Sequence, residues 1–147
     1  MCAKGVFRIE QVSWADAQDE LRAVRFDVFV REQGVPEALE WDGLDSDCQH
    51  VLARDADGVA IATGRLLPDG HIGRMAVLSP WRRCGVGTAV LEALLQIAKN
   101  RGDAIVVLHA QSYVTPFYAR LGFVVTSPEF MEAGIAHVEM RLSMPPP

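Results

Sequence analysis

The chain has 147 residues, half of them hydrophobic, and a formal net charge of -5. That length suits one domain able to bury its own core, and the apolar half argues against intrinsic disorder. The acidic balance argues against non-specific nucleic-acid binding, which depends on clustered Lys and Arg.

Residues 6–12 alternate enough to form a first strand. Ser13 is a good N-cap, and Trp14, Ala17, Leu21, Val24 and Val28 recur at three- and four-residue steps. One amphipathic helix should therefore run over 14–31, stopped by Gly34 and Pro36, with a short helical piece at 37–39. In 37–47 the acids Glu37, Glu40, Asp42, Asp45 and Asp47 surround Trp41 and Gly43 with no apolar period, so the segment reads as a solvated loop. The sharper reading is a rim that attracts a protonated amine, with Glu40 or Asp42 helping to strip its proton. Strands are expected at 50–55, 59–67 and 71–78. The pairs Asp57-Gly58 and Asp69-Gly70 supply turn chemistry between them, which makes an antiparallel meander.

The run Met75-Ala76-Val77-Leu78 then leads into Arg82-Arg83-Cys84-Gly85-Val86-Gly87-Thr88, which opens a helix over 85–101. A helix leaves its first four amides without internal partners and concentrates partial positive charge at that end, so the loop is a natural anion site. Gly85 and Gly87 carry no Cβ and let a ligand lie directly on the backbone. The loop lacks the Gly-Lys-Ser/Thr ending of a triphosphate loop, and Val90 stands where a dinucleotide fingerprint needs its third glycine. The helix is polar only at Glu92, Gln96, Lys99 and Asn100, as suits burial against a sheet. Gly102 ends it, and the β-rich run 104–109 makes a right-handed parallel crossover the natural connection.

Thr115 before Pro116 reads as an N-cap for a short helix closed by Gly122. Residues 123–125 and 136–142 read as a closing strand pair joined through 128–134, with 143–147 as a frayed tail. His50 and His109 fall near strand ends and are candidate bases, because an imidazole titrates near neutrality. The four histidines show no metal-ligand spacing and the three cysteines no Cys-x-x-Cys pair. No apolar run approaches the roughly 18 residues of a membrane span, and residues 1–5 lack the start of a secretory signal, so a cytoplasmic protein is expected.

Taken together, these residues resemble the GNAT superfamily of acetyl-CoA-dependent N-acetyltransferases. Its pyrophosphate motif, Gln/Arg-x-x-Gly-x-Gly/Ala at a helix start, is matched by Arg82, Gly85 and Gly87. Its downstream aromatic-Tyr pair before Leu-Gly-Phe is matched by Phe117, Tyr118, Leu121, Gly122 and Phe123. The stretch Val28-Phe29-Val30-Arg31-Glu32-Gln33-Gly34-Val35-Pro36 is further similar to a subgroup of small single-domain bacterial members.

The resemblance implies an α/β (α+β) fold: a mixed, mostly antiparallel sheet of six to seven strands flanked by helices, as one acetyltransferase domain over 1–147. It implies that the backbone of Met75, Ala76 and Val77 pairs with the pantetheine arm of acetyl-CoA. Beside Arg82, the amides of Arg83, Cys84, Gly85, Val86, Gly87 and Thr88 would wrap the pyrophosphate. An N–H near Ala76 or Val77 would polarise the thioester carbonyl, and Tyr118 would protonate the leaving thiolate. The acetyl group would pass directly, with no acyl-enzyme. Gln111 stands where many members have an Asn that contacts the cofactor or a bound water. Many members also carry an acidic base on the strand before the loop, where this chain has Arg74 and His71. The base is therefore open among Glu40, Asp42, His50 and His109. The acceptor implied is a primary amine of a small molecule or peptide, with no metal, nucleic acid or membrane involved. A non-catalytic acyl-CoA-binding regulatory module and a transferase of another acyl group are the alternatives. A homodimer is expected only because dimers are the commonest soluble assembly.

Overall fold

The two Asp-Gly pairs turn the chain as their residues require, with Gly58 at φ +83° and Gly70 at φ +92°, and the meander folds between them. In the computed structural model, which describes residues 5–145, the order is β1 (Phe7–Val12), α1 (Trp14–Arg25), α2 (Glu37–Glu40), β2 (Gln49–Asp55), β3 (Ala60–Leu66), β4 (His71–Val77), α3 (Val86–Arg101), β5 (Ile105–Gln111), α4 (Thr115–Ala119), β6 (Val124–Val125), β7 (Phe130–Glu132) and β8 (Ile135–Ser143). The reading of residues 1–4, Cys2 among them, lies outside the described residues, as do Pro146 and Pro147. The strands form one sheet in the order β1-β2-β3-β4-β5-β8-β6, with β7 also on β8. Among the described strands β4 and β5 are the one parallel pair; the rest are antiparallel. No helix among the described residues is long and apolar enough to cross a membrane.

Helix α3 buries Val86, Val90, Leu91, Leu94 and Ala98 against one sheet face, where they meet Val51, Ile61, Ile72, Val106 and Leu108. The opposite face receives α1, whose Ala17 and Leu21 pack on Leu52 while Val24 and the following Val28 pack on Ala76.

Five sequence expectations need correction. The sheet has eight strands because β7 lies inside 128–134: Ala133 and Gly134, at φ +51° and +77°, close a two-residue turn from β7 into β8. Such turns need positive φ at both positions, and only the glycine advertises it. The helix over 14–31 has the right extent, but residues Phe26–Glu32 are π-helical, with the Gln33 N–H bonded to Val28 O at 3.1 Å. Thr115 is the first residue of α4 rather than its cap, which is Val114, and its hydroxyl donates to Ser112 O. The tail is held further than expected: Ser143 ends β8, and the Met144 N–H donates to Ala104 O at 2.8 Å.

The fifth concerns the acidic segment, which is solvated only in part: Glu37, Asp42 and Asp47 are exposed, but Glu40 and Asp45 turn inward. Its α2 and a 3₁₀ turn at Asp45–Asp47 deliver Glu40 and Asp45, 3% and 4% exposed, into a cluster with Arg25 and Arg65. Arg25 spans Glu40 at 2.8 Å and Asp45 at 2.6 Å, between the rings of Trp14 and Trp41. Arg65 holds Asp45 at 2.9 Å and pairs with Asp42, and Arg74 reaches Glu40 at 3.2 Å and Asp42 at 3.3 Å. Three guanidiniums thus meet three carboxylates, which is how charges out of water stay tolerable. His50 joins through Nε2, 2.8 Å from Asp45 O, and stacks on Trp14. Burial pushes its imidazole below the ordinary value.

Gly64 of β3 lies close under α3. A Cβ there would fall 2.6 Å from Met75 Sδ and 2.8 Å from Leu94 Cδ1. Gly64→Ala should therefore cost about 1–3 kcal/mol, read as a lower urea midpoint at constant slope. The ionic cluster sets a pH dependence. The Arg65 hydrogen bond holds the Asp42 carboxyl well below its usual range. Burial raises that of Asp45, but Arg25 and Arg65 outweigh it and leave it lowered. Their contribution is complete above the unfolded carboxylate value of about 4 and is lost as pH falls below it. Glu40, raised by burial, contributes with the opposite sign. Asp42→Asn should be less stable than the parent at pH 7 and lose less stability between pH 5 and 2, as measured by urea unfolding across that range.

Candidate active site

A wedge opens in the sheet where β4 leaves β5. The two strands pair only through His71 with Val107 and Ile72 with Leu108. Past Ile72, β4 stays on β3, where Thr63 faces Ala76 and Ala62 faces Val77, but its register slips: Gly73 lies opposite Arg65, so Arg74 and Met75 together face Gly64. This is a bulge, with Arg74 at φ +50°, and bulges bend a strand and re-aim its backbone. Gly73 to Val77 consequently present one side as an unpaired edge, a template for an extended chain of amides.

At the end of that edge, a 3₁₀ turn at Ser79–Trp81 brings the chain to the glycine loop. Arg83 at φ +63° and Gly85 at φ +80° are both left-handed, and Gly85 precedes α3 without any side-chain cap on the first amides. Amides turned inward by alternating backbone hands make a concavity for an anion, reinforced by the dipole of a 16-residue helix. Gly87 fits between neighbours: a Cβ on it would be 3.6 Å from Val77 and 3.8 Å from Phe117. The half-buried Cys84 lies inside the loop, and Arg83 is exposed. Arg82 does not extend toward an anion. Its Nε donates to Val77 O and its two terminal nitrogens grip Glu32 at 2.7 and 2.6 Å, which holds the Glu32 carboxyl below its usual value. The loop is thus fastened to the π-helical turn, and the cationic help left to it is Arg83 and the amides.

Tyr118 of α4 is buried with Phe117 and Phe123 against its ring at 5.0 and 5.9 Å, and burial pushes its phenol up to about 12. It stays protonated throughout the neutral range, as a proton donor must. Gln111 ends β5 across the wedge and donates through Nε2 to Gln33 Oε1 at 3.0 Å, so this strand is also tied to the turn after α1.

The four base candidates separate cleanly. Glu40, Asp42 and His50 belong to the ionic cluster, where every carboxylate has guanidinium partners and the imidazole is buried. His109 alone stands at the wedge, as the residue of β5 after its last pairing with β4, with its side chain 38% exposed. Sequence reasoning missed the partners: Arg25, Arg65 and Arg74 lie 15 to 35 residues from the groups they bind, and Glu132 lies in a segment read as a connection. Among the described residues no group of three His, Cys, Asp or Glu could hold a metal ion.

Known proteins carry the same architecture. The family model described as an acetyltransferase (GNAT) domain matches residues 15–144. The uncharacterized protein YyaT of Bacillus subtilis is 38% identical over 132 residues, covering 86% of this chain and 88% of its own. The uncharacterized N-acetyltransferase YjcF of the same organism is 36% identical over 120 residues, covering 80% and 86%. The crystal structure of an acyl-CoA N-acyltransferase from Pseudomonas aeruginosa superposes with a TM-score of 0.82 at 34% identity, over 92% of this chain and 99% of that one. The open edge of β4, the uncapped start of α3 and these likenesses agree: the chain belongs to the GNAT acetyltransferase family.

Proposed function

We propose that the protein transfers an acetyl group from acetyl-CoA to a primary amine of a small molecule or peptide. The observation that carries this is the wedge itself, an unpaired strand edge running into an uncapped helix start. Pantetheine is a thin chain carrying two amides, and the CoA pyrophosphate is an anion; the edge of Gly73 to Val77 suits the first and the 83–88 amides the second. The names of YjcF and of the Pseudomonas enzyme support an N-acyltransferase.

In this reading the pantetheine arm would run from the 83–88 loop into the wedge along β4. A β4 amide at Ala76 or Val77 faces the carbonyl oxygen and stabilises negative charge as nitrogen adds. Tyr118 gives its proton to sulfur as the C–S bond breaks. Cytoplasm, where acyl-CoA is supplied, is the setting that suits this activity.

Acetyl-CoA should bind by isothermal titration and, at a hundredfold excess over Kd, stabilise the fold by about 2.7 kcal/mol. Neither heat nor stabilisation would sink the reading. Gly85→Asp places a carboxylate where the pyrophosphate lies and should weaken acetyl-CoA binding at least about tenfold, or about 1.4 kcal/mol. Tyr118→Phe should lower kcat about 100-fold while leaving the acetyl-CoA Kd in place, because the hydroxyl acts in the transition state. An unchanged kcat would remove Tyr118 from the chemistry.

A further inference from the structure

We propose that His109 is the general base for the acceptor amine and that Glu132, brought in by the β7–β8 hairpin, is the residue that positions it; the base role rests on the acetyl-transfer reading. His109 Nδ1 lies 3.0 Å from Glu132 Oε1. With Nδ1–H donating to a carboxylate, the lone pair resides on Nε2. The ring is held on its other sides by Phe130, edge-on at 5.1 Å, and His71, edge-on at 6.1 Å. Glu132 is itself bracketed: His137 bonds Ile135 O through Nδ1 at 2.7 Å and brings Nε2 to 3.6 Å from the second carboxylate oxygen. The charged and titratable groups facing His109 are therefore His71 of β4, Glu132 of β7, and His137 and Glu139 of β8, Glu139 being opposite His109 in the ladder.

The place fits the task. Strand alternation and register put His109 on the same sheet face as His71, Gly73 and Ala76, the face that α1 covers only as far as Ala76. His109 directly follows Leu108, where β4 and β5 part, so its ring borders the narrow end of the wedge from the side away from α3. An ammonium approaching there gives one proton to His109 Nε2. The freed amine forms the C–N bond as the C–S bond breaks. The second nitrogen proton replaces the one Tyr118 gives to sulfur, and His109 releases its own to water. One proton is lost overall.

Two readouts test this on the full chain. Long-range ¹H–¹⁵N spectra at a pH where the rings are neutral, assigned with His109→Gln, should show His109 as the Nδ1–H tautomer. Glu132→Gln should shift that tautomer balance. A wild-type Nε2–H tautomer, or no response to Glu132→Gln, overturns the positioning role whether or not an acceptor has been found. With an amine panel and acetyl-CoA, His109→Gln should lower kcat/KM about 100-fold and abolish the loss of rate on acidification. Glu132→Gln should lower it about tenfold while leaving the acetyl-CoA Kd in place. A merely structural Glu132 would instead lower thermal stability with the tautomer balance unmoved, and a wild-type profile in His109→Gln overturns the base assignment. Wild-type binding of acetyl-CoA with no amine turned over would fell the transfer reading and the base role with it, while the tautomer result still decides the pair.

Discussion

The bulge in β4 is the constraint on which the rest depends. Two residues, Arg74 and Met75, must face the single Gly64, and that mismatch bends β4 away from β5 after only two paired positions. If the register ran true, β4 could continue on β5 and no edge would open. Gly64 is the complement of this arrangement, since a side chain there would collide with Met75 and Leu94. The buried ion pairs serve the same geometry from the other side: Arg74, at the bulge, is anchored on Glu40 and Asp42, so α2 and the bulge hold each other in place.

Donor and acceptor sides are joined by polar clamps that converge on one short stretch. Glu32 and Gln33 close the π-helical turn; the first grips Arg82 of the glycine loop and the second receives Gln111 of β5. A π-helical turn re-phases the residues that follow it, and such turns recur at functional sites. Here it directs two neighbouring side chains to opposite sides of the wedge, where a regular helix would send them around its own axis.

Much of this fold was legible in the sequence because its signals are local. The Asp-Gly turns, the apolar faces of α1 and α3 and the glycine loop each lie within a few residues of what they specify, and the parallel crossover followed from their order. What escaped depended on distance along the chain or on rare backbone conformations. An acidic run looks solvated until Arg25 and Arg65 arrive from elsewhere, and Ala133 gives no hint of a left-handed turn. For the site, the loop and Tyr118 were visible as motifs. Glu132 was not, since its meaning comes only from the hairpin that sets it beside His109.

The open edge of β4 also has a selective consequence. Unpaired strand edges usually invite other protein strands, with the attendant risk of aggregation. This one lies inside a sheet, with β5 across the gap, the end of α1 and the π-helical turn over one face and α3 over the other. A peptide strand entering it would bring side chains to both faces and meet those layers. A thin chain of amides without side chains would not, so the thickness of the intruder decides what the edge accepts.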